Sequence, residues 1–594
     1  MNANLHTNDH WRVEWTKEGG GSRKHERKNQ QIPNHIYLLA IAFLLLVVVG
    51  MIFVIRRYTP TKEHMSLSDY FTLTEENQAA VILNGEYKEV SDSDDAIYAI
   101  ATDQGVYLEI SFLKSNLDDG YVYDTTEGVL RYVTDQDVVS ASLNSDAYTV
   151  GKSRESLGKD VVVSQNGAYF VSADFVKLYT DMSFELFDSP NRVVIETAGY
   201  EKKVASLKRD AALRRFGGVK SKILKDAKKG DQLTILENYG KWSHVLTEDG
   251  VLACVQNRRL SKSEKQTVEA TLQERTYNHI TVKDPIVMGW HQVTSQSANS
   301  GVSQVVAGTG LNVISPTWFS LSDNLGNIKS LASSDYVTYC HQNNIQVWGL
   351  VSNLENKNVD TTTVLNTTSY RDSLVNNLIT QAISYDLDGI NVDMEALSVS
   401  AKDGYIEFIK ELSIKCEKND IILSVDNYVP SASTAFYNRS VQADYADYIA
   451  VMAYDEHYVG GDEAGSVASI GFVEKGVADT LEEVPADQII LGMPFYARVW
   501  AQSDSGLTSS AYGMEDMQSF LNRNQATSTW SEEAGQYYAE FTEGDTTYMA
   551  WIEDATSLSK KLDVMKENKL AGASFWKLGF ETKDTWQTIK TYFK

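Results

Sequence analysis

Cysteine and proline are scarce in this sequence. Its 594 residues include only three cysteines (Cys254, Cys340 and Cys416) and eight prolines. Three cysteines that lie so far apart support neither a disulfide framework nor a cysteine-based zinc site. The few prolines are scattered, so the chain has no proline-rich linker.

Basic residues are also in deficit. Lys and Arg number 54 against 80 Asp and Glu, which gives a formal charge of −26. Because general binding to nucleic acid needs a basic surface, this balance argues against a nucleic-acid partner. The excess acid lies beyond the first 35 residues, which carry more basic than acidic groups. The hydrophobic content of 43% is enough for packed cores, and the length predicts roughly four units.

Motifs for several common chemistries are missing. Residues 471–476 have the spacing of a phosphate-binding loop, but Val477 follows where that loop needs lysine. The chain has neither a G-x-S-x-G nor an H-E-x-x-H motif, so acyl-transfer and zinc-protease functions lack support. We predict no metal and no cofactor.

One long apolar run lies near the N-terminus. Residues 36–55 read IYLLAIAFLLLVVVGMIFVI, and Arg56 and Arg57 end the run. Twenty uncharged residues can cross the ~30 Å hydrocarbon core as a helix. The run is too long for a typical signal peptide and no small-residue cleavage site follows it. We predict an uncleaved anchor over 36–56, after a disordered tail over 1–35 that the positive-inside rule puts in the cytoplasm, with the large part outside.

Residues 76–200 alternate short apolar runs, such as 106–110 and 129–133, with Asp, Asn and Gly turns. This pattern predicts a β-rich or α+β module. With the segment GYVYD at 120–124, the module resembles the small non-catalytic domain at the N-terminus of copper amine oxidases and in many bacterial surface proteins. The resemblance implies a spacer or a module that contacts the cell wall.

Residues 203–260 contain short strand-like runs separated by turns at Gly230 and Gly250. Such spacing predicts a small β-barrel. The segment resembles the bacterial SH3-like fold, in which Trp242 would lie in the core or in a groove. Binding of wall peptides and simple spacing of another domain both remain open.

From residue 282 to 594 apolar runs alternate with helical stretches, which is typical of parallel βα units. Eight runs in this length predict an α/β fold, a (β/α)8 TIM barrel, with an α+β insertion over 495–571 that contains a hairpin. The predicted strands are 286–290, 311–315, 345–350, 387–395, 421–426, 448–454, 489–494 and 572–576.

The fourth run carries the chemistry. Because side chains alternate along a strand, Asn391, Asp393 and Glu395 share the face that points into the barrel. Buried polar groups are costly unless they serve a purpose, and active sites of barrels lie at the carboxyl ends of the strands. For this short pattern alone, a salt-bridged or hydrogen-bonded barrel end would be the better interpretation.

Four ordered segments favour catalysis. Residues 388–395, DGINVDME, resemble the signature of glycoside hydrolase family 18, the chitinase-like hydrolases. The segments MAYD at 452–455, LGMPFYAR at 491–498 and GASFW at 572–576 resemble the same family at the sixth, seventh and eighth strands.

The resemblance implies a substrate-assisted mechanism, in which the acetamido oxygen of the substrate attacks the anomeric carbon and forms an oxazolinium ion. Glu395 would be the proton donor, with its pKa raised, and Asp393 its neighbour that accepts the acetamide N–H. Tyr454 would hold the acetamide oxygen, and Asp455 would assist at the sugar or the leaving group.

Asn391 departs from the commonest form of the family, which has Asp at this position. We expect Asn391 to hydrogen-bond Asp393 without adding charge, and so to shift the pH profile.

The resemblance also implies a set of substrate-binding side chains. Trp576 would form the floor of the sugar site, Met452 would pack beneath it, and Arg498 would contact sugar or brace an acid. Aromatic residues near strand ends suit sugar faces, and here these residues are Tyr496, Trp290 and Trp318. For Trp290 and Trp318, packing in the core is an equally good interpretation.

Segments at 288–293, 312–319, 550–554 and 574–579 resemble the spore-cortex and cell-wall branch of the family. This resemblance implies N-acetylglucosamine-containing polysaccharide as the partner and peptidoglycan as the substrate. We therefore predict a membrane-anchored N-acetylglucosaminidase. A chitin-oligosaccharide hydrolase and a non-hydrolytic glycan-binding protein are the alternatives.

Overall fold

A computed structural model describes residues 33–89 and 96–593. All but the last three residues of the predicted tail lie outside this range. The first described element is the helix Asn34–Tyr58, which is exposed on all sides and contains an 18-residue stretch with a mean hydropathy of 3.3. Its 25 residues exceed the length needed to cross ~30 Å at ~1.5 Å per residue. The helix is thus a candidate membrane span, although an N-terminal signal sequence has the same properties.

The segment that follows this helix is fixed to the second module, which runs from the strand Glu201–Ser206 to the strand Glu264–Thr267. We call residues 61–65 the strap. The N–H groups of Thr61 and Met65 donate to the carbonyls of Val219 and Ile223 at 2.9 and 2.8 Å. The Arg214 guanidinium donates to the Thr61 carbonyl at 3.1 Å. Only two residues separate the helix from the strap.

The first module is α+β, and most of its buried hydrophobic residues form one large core. Two four-stranded sheets and one five-stranded sheet surround that core, with helices Leu67–Phe71, Ile110–Asn116 and Ala173–Tyr179. The strands are Ala80–Leu83, Glu86–Tyr87, Ala99–Thr102, Gly105–Glu109, Val122–Asp124, Val129–Val133, Val138–Ser142, Ala147–Val150, Ser153–Ser156, Val162–Gln165, Ala168–Ser172, Met182–Phe187 and Arg192–Thr197.

The second module is one antiparallel sheet of seven strands around its own apolar core. The strands are Glu201–Ser206, Ala211–Arg214, Ile223–Ala227, Gln232–Tyr239, Trp242–Thr247, Leu252–Gln256 and Glu264–Thr267. Gly230 and Gly250 have positive φ angles of 97° and 76°, as tight turns between such strands require. The family resemblances of both modules stay predictions.

The predicted barrel is confirmed. Eight parallel strands pair in sequence and the first pairs with the last, which closes the sheet. These strands are β1 Ile286–His291, β2 Val313–Pro316, β3 Gln346–Ser352, β4 Gly389–Asp393, β5 Ile422–Tyr428, β6 Tyr448–Met452, β7 Ile489–Pro494 and β8 Gly572–Trp576. The helices around them are Val302–Val305, Ser334–Gln342, Thr361–Asn366, Thr368–Tyr385, Lys402–Glu417, Arg439–Tyr445, Ile470–Leu481, Ala555–Glu567 and Lys583–Tyr592.

Between β7 and β8 lies a five-stranded antiparallel sheet with the helix Met514–Arg523. Its strands are Tyr496–Ser503, Gly506–Gly513, Ser528–Ser531, Gln536–Glu543 and Thr546–Ile552. The last two strands form a hairpin in which Thr542 faces Thr547. The sheet follows directly on β7, so it stands beside the carboxyl ends of the barrel strands.

The register of β4 on β5 sets the interior of the barrel. Asn391 faces Ser424 and Val392 faces Val425. Ile390 and Val392 point outward and pack in the main core. Paired inward side chains of β4 and β5 therefore lie side by side on the inner face of the sheet.

The first module packs against the outside of the barrel. Arg131 contacts Asp372 at 2.5 Å, and Asp124 accepts the N–H of Thr368 at 2.7 Å. These contacts fix the module on the helix Thr368–Tyr385. A third contact, from Lys114 to Asp403 at 2.6 Å, reaches the next helix.

Candidate active site

Glu395 lies just beyond the end of β4, at the carboxyl end of the barrel. Its Oε2 accepts a hydrogen bond from the Tyr428 hydroxyl at 2.9 Å. Burial raises the pKa of Glu395, and the carboxylates of Asp455 and Glu355 raise it further, while the Tyr428 hydrogen bond opposes part of the shift. The pKa of Glu395 is therefore shifted in the direction that a general acid needs.

The backbone of Glu395 is held from the neighbouring strands. The amide of Asn353, just after β3, donates to the Glu395 carbonyl and accepts the Glu395 N–H, both at 2.9 Å. The next residue, Ala396, has a φ of 50° and donates its N–H to the Tyr428 hydroxyl at 3.1 Å. Asn353 and Tyr428 thus fix the direction in which the carboxyl of Glu395 points.

Asp393 lies one layer deeper. Its Oδ1 is buried and has no hydrogen-bond partner among the described residues. Burial raises the pKa of Asp393 well above its usual range, and the carboxyls of Asp426, Glu395 and Glu355 add to the shift. An acceptor without a donor in a buried site is prepared to receive one from a ligand.

Asn391 is completely buried. Its Oδ1 accepts from the indole N–H of Trp290 and from the Ser315 hydroxyl, both at 2.9 Å. Its Nδ2 donates to Asp426 Oδ1 at 2.7 Å. The prediction that Asn391 hydrogen-bonds Asp393 is wrong, because the amide nitrogen of Asn391 is turned toward Asp426 on the neighbouring strand β5.

Trp290 and Trp318 do not offer faces for sugar stacking. Each has 1% of its surface exposed. The indole of Trp290 binds Asn391, and the indole N–H of Trp318 donates to Asn299 at 2.8 Å. Their expected role in direct substrate binding is wrong, since the barrel interior and the surrounding helices cover both rings.

Tyr454, Asp455 and Tyr496 form a group after β6 and β7. The Tyr454 ring packs edge-on against Trp290 and Tyr496, with centroids 6.4 Å apart in each pair. The Tyr496 hydroxyl donates to the exposed Asp455, whose φ of 58° is unusual for a residue other than glycine. Burial raises the pKa of Tyr454 well above its usual range, so its hydroxyl keeps its proton as a donor.

The remaining predicted residues surround this group. Trp576 ends β8 and packs edge-on against Trp290 at 6.1 Å, with part of its surface exposed. Met452 is buried at 9% exposure. Arg498 donates to the Ser509 hydroxyl at 3.3 Å. Its Nε has no partner among the described residues, so the expected brace to an acid is not formed within them.

Four residues of the site escaped the sequence analysis: Asn353, Glu355, Asp426 and Tyr428. The segment SVDNY at 424–428 held the signal for two of them. Alternation along β5 puts Ser424, Asp426 and Tyr428 on the inward face, in the same way that it identified the residues of β4. In the described part of the chain no group of three or more His, Cys, Asp or Glu is placed to hold a metal ion.

A TIM barrel with two adjacent carboxyl groups of raised pKa at its carboxyl end has the acid chemistry that glycosidases use. Residues 320–581 match the model of the glycosyl hydrolases family 18. The chain is a glycosidase, and over residues 320–581 it is similar to this family.

Two curated relatives come from Bacillus subtilis (strain 168). The uncharacterized glycosylase YvbX is 26% identical over 294 residues, which cover 48% of this chain and 85% of YvbX. The cortical fragment-lytic enzyme is 25% identical over 282 residues, or 45% of this chain and 63% of the relative, so this match spans less than two thirds of its length. The crystal structure of the Bacillus megaterium QM B1551 spore cortex-lytic enzyme SleL has a TM-score of 0.47, with 20% identity over 62% of this chain and 89% of SleL.

Proposed function

We propose that this protein is a membrane-anchored hydrolase that cleaves N-acetylglucosamine linkages of cell-wall peptidoglycan by substrate-assisted retaining catalysis. The observation that carries the proposal is the pair of Glu395 and Asp393, one layer apart at the open end of the barrel. Glu395 has a raised pKa and a hydrogen-bonded carboxyl, whereas Asp393 has an unpartnered buried oxygen.

The proposed steps use both groups. Glu395 gives its proton to the leaving glycosidic oxygen, while the acetamido oxygen of the substrate attacks the anomeric carbon. Asp393 accepts the acetamide N–H and stabilises the positive charge of the oxazolinium ion. Water, deprotonated by Glu395, then opens the ring of this intermediate with net retention of configuration.

Tyr454 and Trp576 position the sugar in this scheme. The Tyr454 hydroxyl donates to the acetamido oxygen, which holds it in line for attack. The exposed part of Trp576 lies under the sugar ring, and Asp455, bound by Tyr496, assists at the leaving group.

Anchoring favours a cell-wall substrate. The apolar helix Asn34–Tyr58 precedes the modules directly, which suits a fixed polymer next to a membrane better than distant chitin. The positive-inside rule puts the catalytic domain outside the cell. Both small modules would then lie between the bilayer and the wall, as spacers or wall-binding units.

The test is digestion of purified peptidoglycan and, in parallel, of chitin oligomers by the full chain. We expect wild type to release reducing ends mainly from peptidoglycan, with N-acetylglucosamine at the new ends in mass spectra. Glu395→Gln should lose at least about 100-fold in rate because the amide cannot donate the proton. The control Glu567→Gln changes an exposed glutamate at the end of a barrel helix and should keep full activity.

Three other outcomes would change the conclusion. Preferential cleavage of chitin oligomers would replace the substrate class. Equal release of reducing ends by wild type and Glu395→Gln would refute the catalytic assignment. Binding to peptidoglycan without any cleavage would favour a glycan-binding morphogenetic protein.

A further inference from the structure

The carboxyl group of Asp426 is the strongest feature of the barrel that the proposed mechanism leaves unused. Asp426 lies on β5 and is 3% exposed. The paired residues Val392 and Val425 directly precede Asp393 and Asp426, so these two aspartates are side-by-side, inward-facing neighbours on adjacent parallel strands. Two neighbouring buried carboxyls cannot both ionise without a large electrostatic cost.

The orientation of the Asn391 amide shows that it supports the carboxyl of Asp426. An indole N–H can only donate, so the atom of Asn391 that faces Trp290 must be the oxygen. The amide nitrogen then faces Asp426 and donates to it at 2.7 Å. The commonest form of this family has Asp at the position of Asn391. In this protein Asn391 instead donates a hydrogen bond to Asp426 on the next strand.

We propose that Asp426 is the carboxyl partner of Asp393, and that the two share one proton. When substrate binds, the proton leaves a carboxyl oxygen of Asp393 and binds a carboxylate oxygen of Asp426. Asp393 then carries the negative charge that accepts the acetamide N–H. No proton enters or leaves the pair, and Asn391 holds Asp426 in place throughout. This inference rests on the proposed function of Asp393, through which Asp426 acts as a positioning residue.

The surroundings of Asp426 favour such a shared proton. The titratable groups near Asp426 are Asp393 and Glu395 from β4, Tyr405 from the helix behind it and Tyr454 after β6, and none of them is a cation. Burial and the Glu395 carboxylate raise the pKa of Asp426 to about 8, although the hydrogen bond from Asn391 opposes the shift. A proton is therefore retained in the pair at neutral pH.

The experiment exchanges the two side chains across the strands. Asp426→Asn leaves Asp393 as the one carboxyl of the pair. The double variant Asn391→Asp/Asp426→Asn restores a second carboxyl, now at position 391 on β4. Two coupled carboxyls titrate in steps on either side of the pKa of a lone carboxyl. The acid limb of kcat/KM should therefore move to higher pH in Asp426→Asn and return toward the wild-type position in the double variant.

The readouts are the pH profile of the full chain on a fluorogenic N-acetylglucosamine oligosaccharide and the infrared C=O stretch of protonated carboxyls at neutral pH. We expect Asp426→Asn to lose more than about tenfold in kcat and one protonated carboxyl band, and the double variant to regain both. The control Asp447→Asn removes another buried carboxyl, which accepts the N–H of Leu423 at the opposite end of β6 and has a pKa raised to about 7. It should leave the acid limb in place.

An unchanged acid limb in Asp426→Asn, or a double variant no better than the single one, overturns the proposal. The infrared measurement needs no substrate, so it decides on the shared proton even if the oligosaccharide is not cleaved. Activity that survives Glu395→Gln refutes the proposed function instead, and the two failures are thereby distinguished.

Discussion

At the scale of single residues, Glu395 depends on side chains from two other strands. Asn353 binds both backbone groups of Glu395, and Tyr428 binds its carboxyl and the N–H of Ala396. The sequence predicted the three inward residues of β4 because side chains alternate between the two faces of any strand, whichever strands lie beside it. It could not predict that Trp290 and Trp318 are covered, since the burial of a large ring depends on residues distant in sequence.

The Tyr428 hydroxyl gives a prediction at this scale. Its hydrogen bond stabilises the charged form of Glu395 and so lowers the pKa of Glu395. Removing the hydroxyl in Tyr428→Phe should raise that pKa, and the proton donor should persist to higher pH. We expect the alkaline limb of the kcat/KM profile to move upward, with an activity loss of about tenfold or less. Movement to lower pH would contradict the role given to Tyr428.

At the scale of secondary-structure elements, the eight strands follow their predicted apolar runs closely, because parallel strands are buried on both faces and so form continuous apolar segments. The polar contacts between the helices were not predictable from such patterns. Arg371 is 1% exposed and binds Glu411 through two hydrogen bonds, at 2.8 and 3.1 Å. This buried pair joins the helices Thr368–Tyr385 and Lys402–Glu417, which flank β4.

Breaking that pair should destabilise the barrel. Arg371→Met leaves the Glu411 carboxylate buried without its main partner, and we expect a loss of about 3–5 kcal/mol in the free energy of unfolding. The double variant Arg371→Met/Glu411→Leu should recover most of it, since no unpaired charge remains. The contrast is Lys475→Met, which breaks an exposed pair with Asp479 and should cost less than about 1 kcal/mol. Denaturant unfolding of all three variants measures these differences, and equal losses for the two single variants would refute this account.

At the scale of the whole molecule, the first module acts as part of the barrel's support. Arg131 reaches Asp372 and lies 3.7 Å from Glu411, so a residue of the module extends the buried pair of the two helices. The Tyr445 hydroxyl also donates to the carbonyl of Val133 in this module, at 3.1 Å. Sequence patterns predicted two separate units here but carried no information on contacts between them, which depend on side chains more than 200 positions apart.

The whole-molecule prediction follows from Arg131. Arg131→Ala should weaken the helix Thr368–Tyr385 although the change lies in another module, because Asp372 then loses its cation. We expect faster hydrogen exchange in that helix and a stability loss of about 1–3 kcal/mol. Lys152→Ala, an exposed change on a hairpin of the same module, should alter neither. If exchange in the helix stayed at the wild-type rate, the module would be independent of the barrel.

The strap limits the free length of chain between the helix Asn34–Tyr58 and the second module. Since residues 61–65 are hydrogen-bonded to the second module and only two residues separate them from the helix Asn34–Tyr58, the chain has almost no free length there. A flexible tether lets an enzyme search a volume that grows with linker length. With the helix in a bilayer, this enzyme would instead swivel about a short joint, and the size of its modules would set the one height above the membrane at which it can cut.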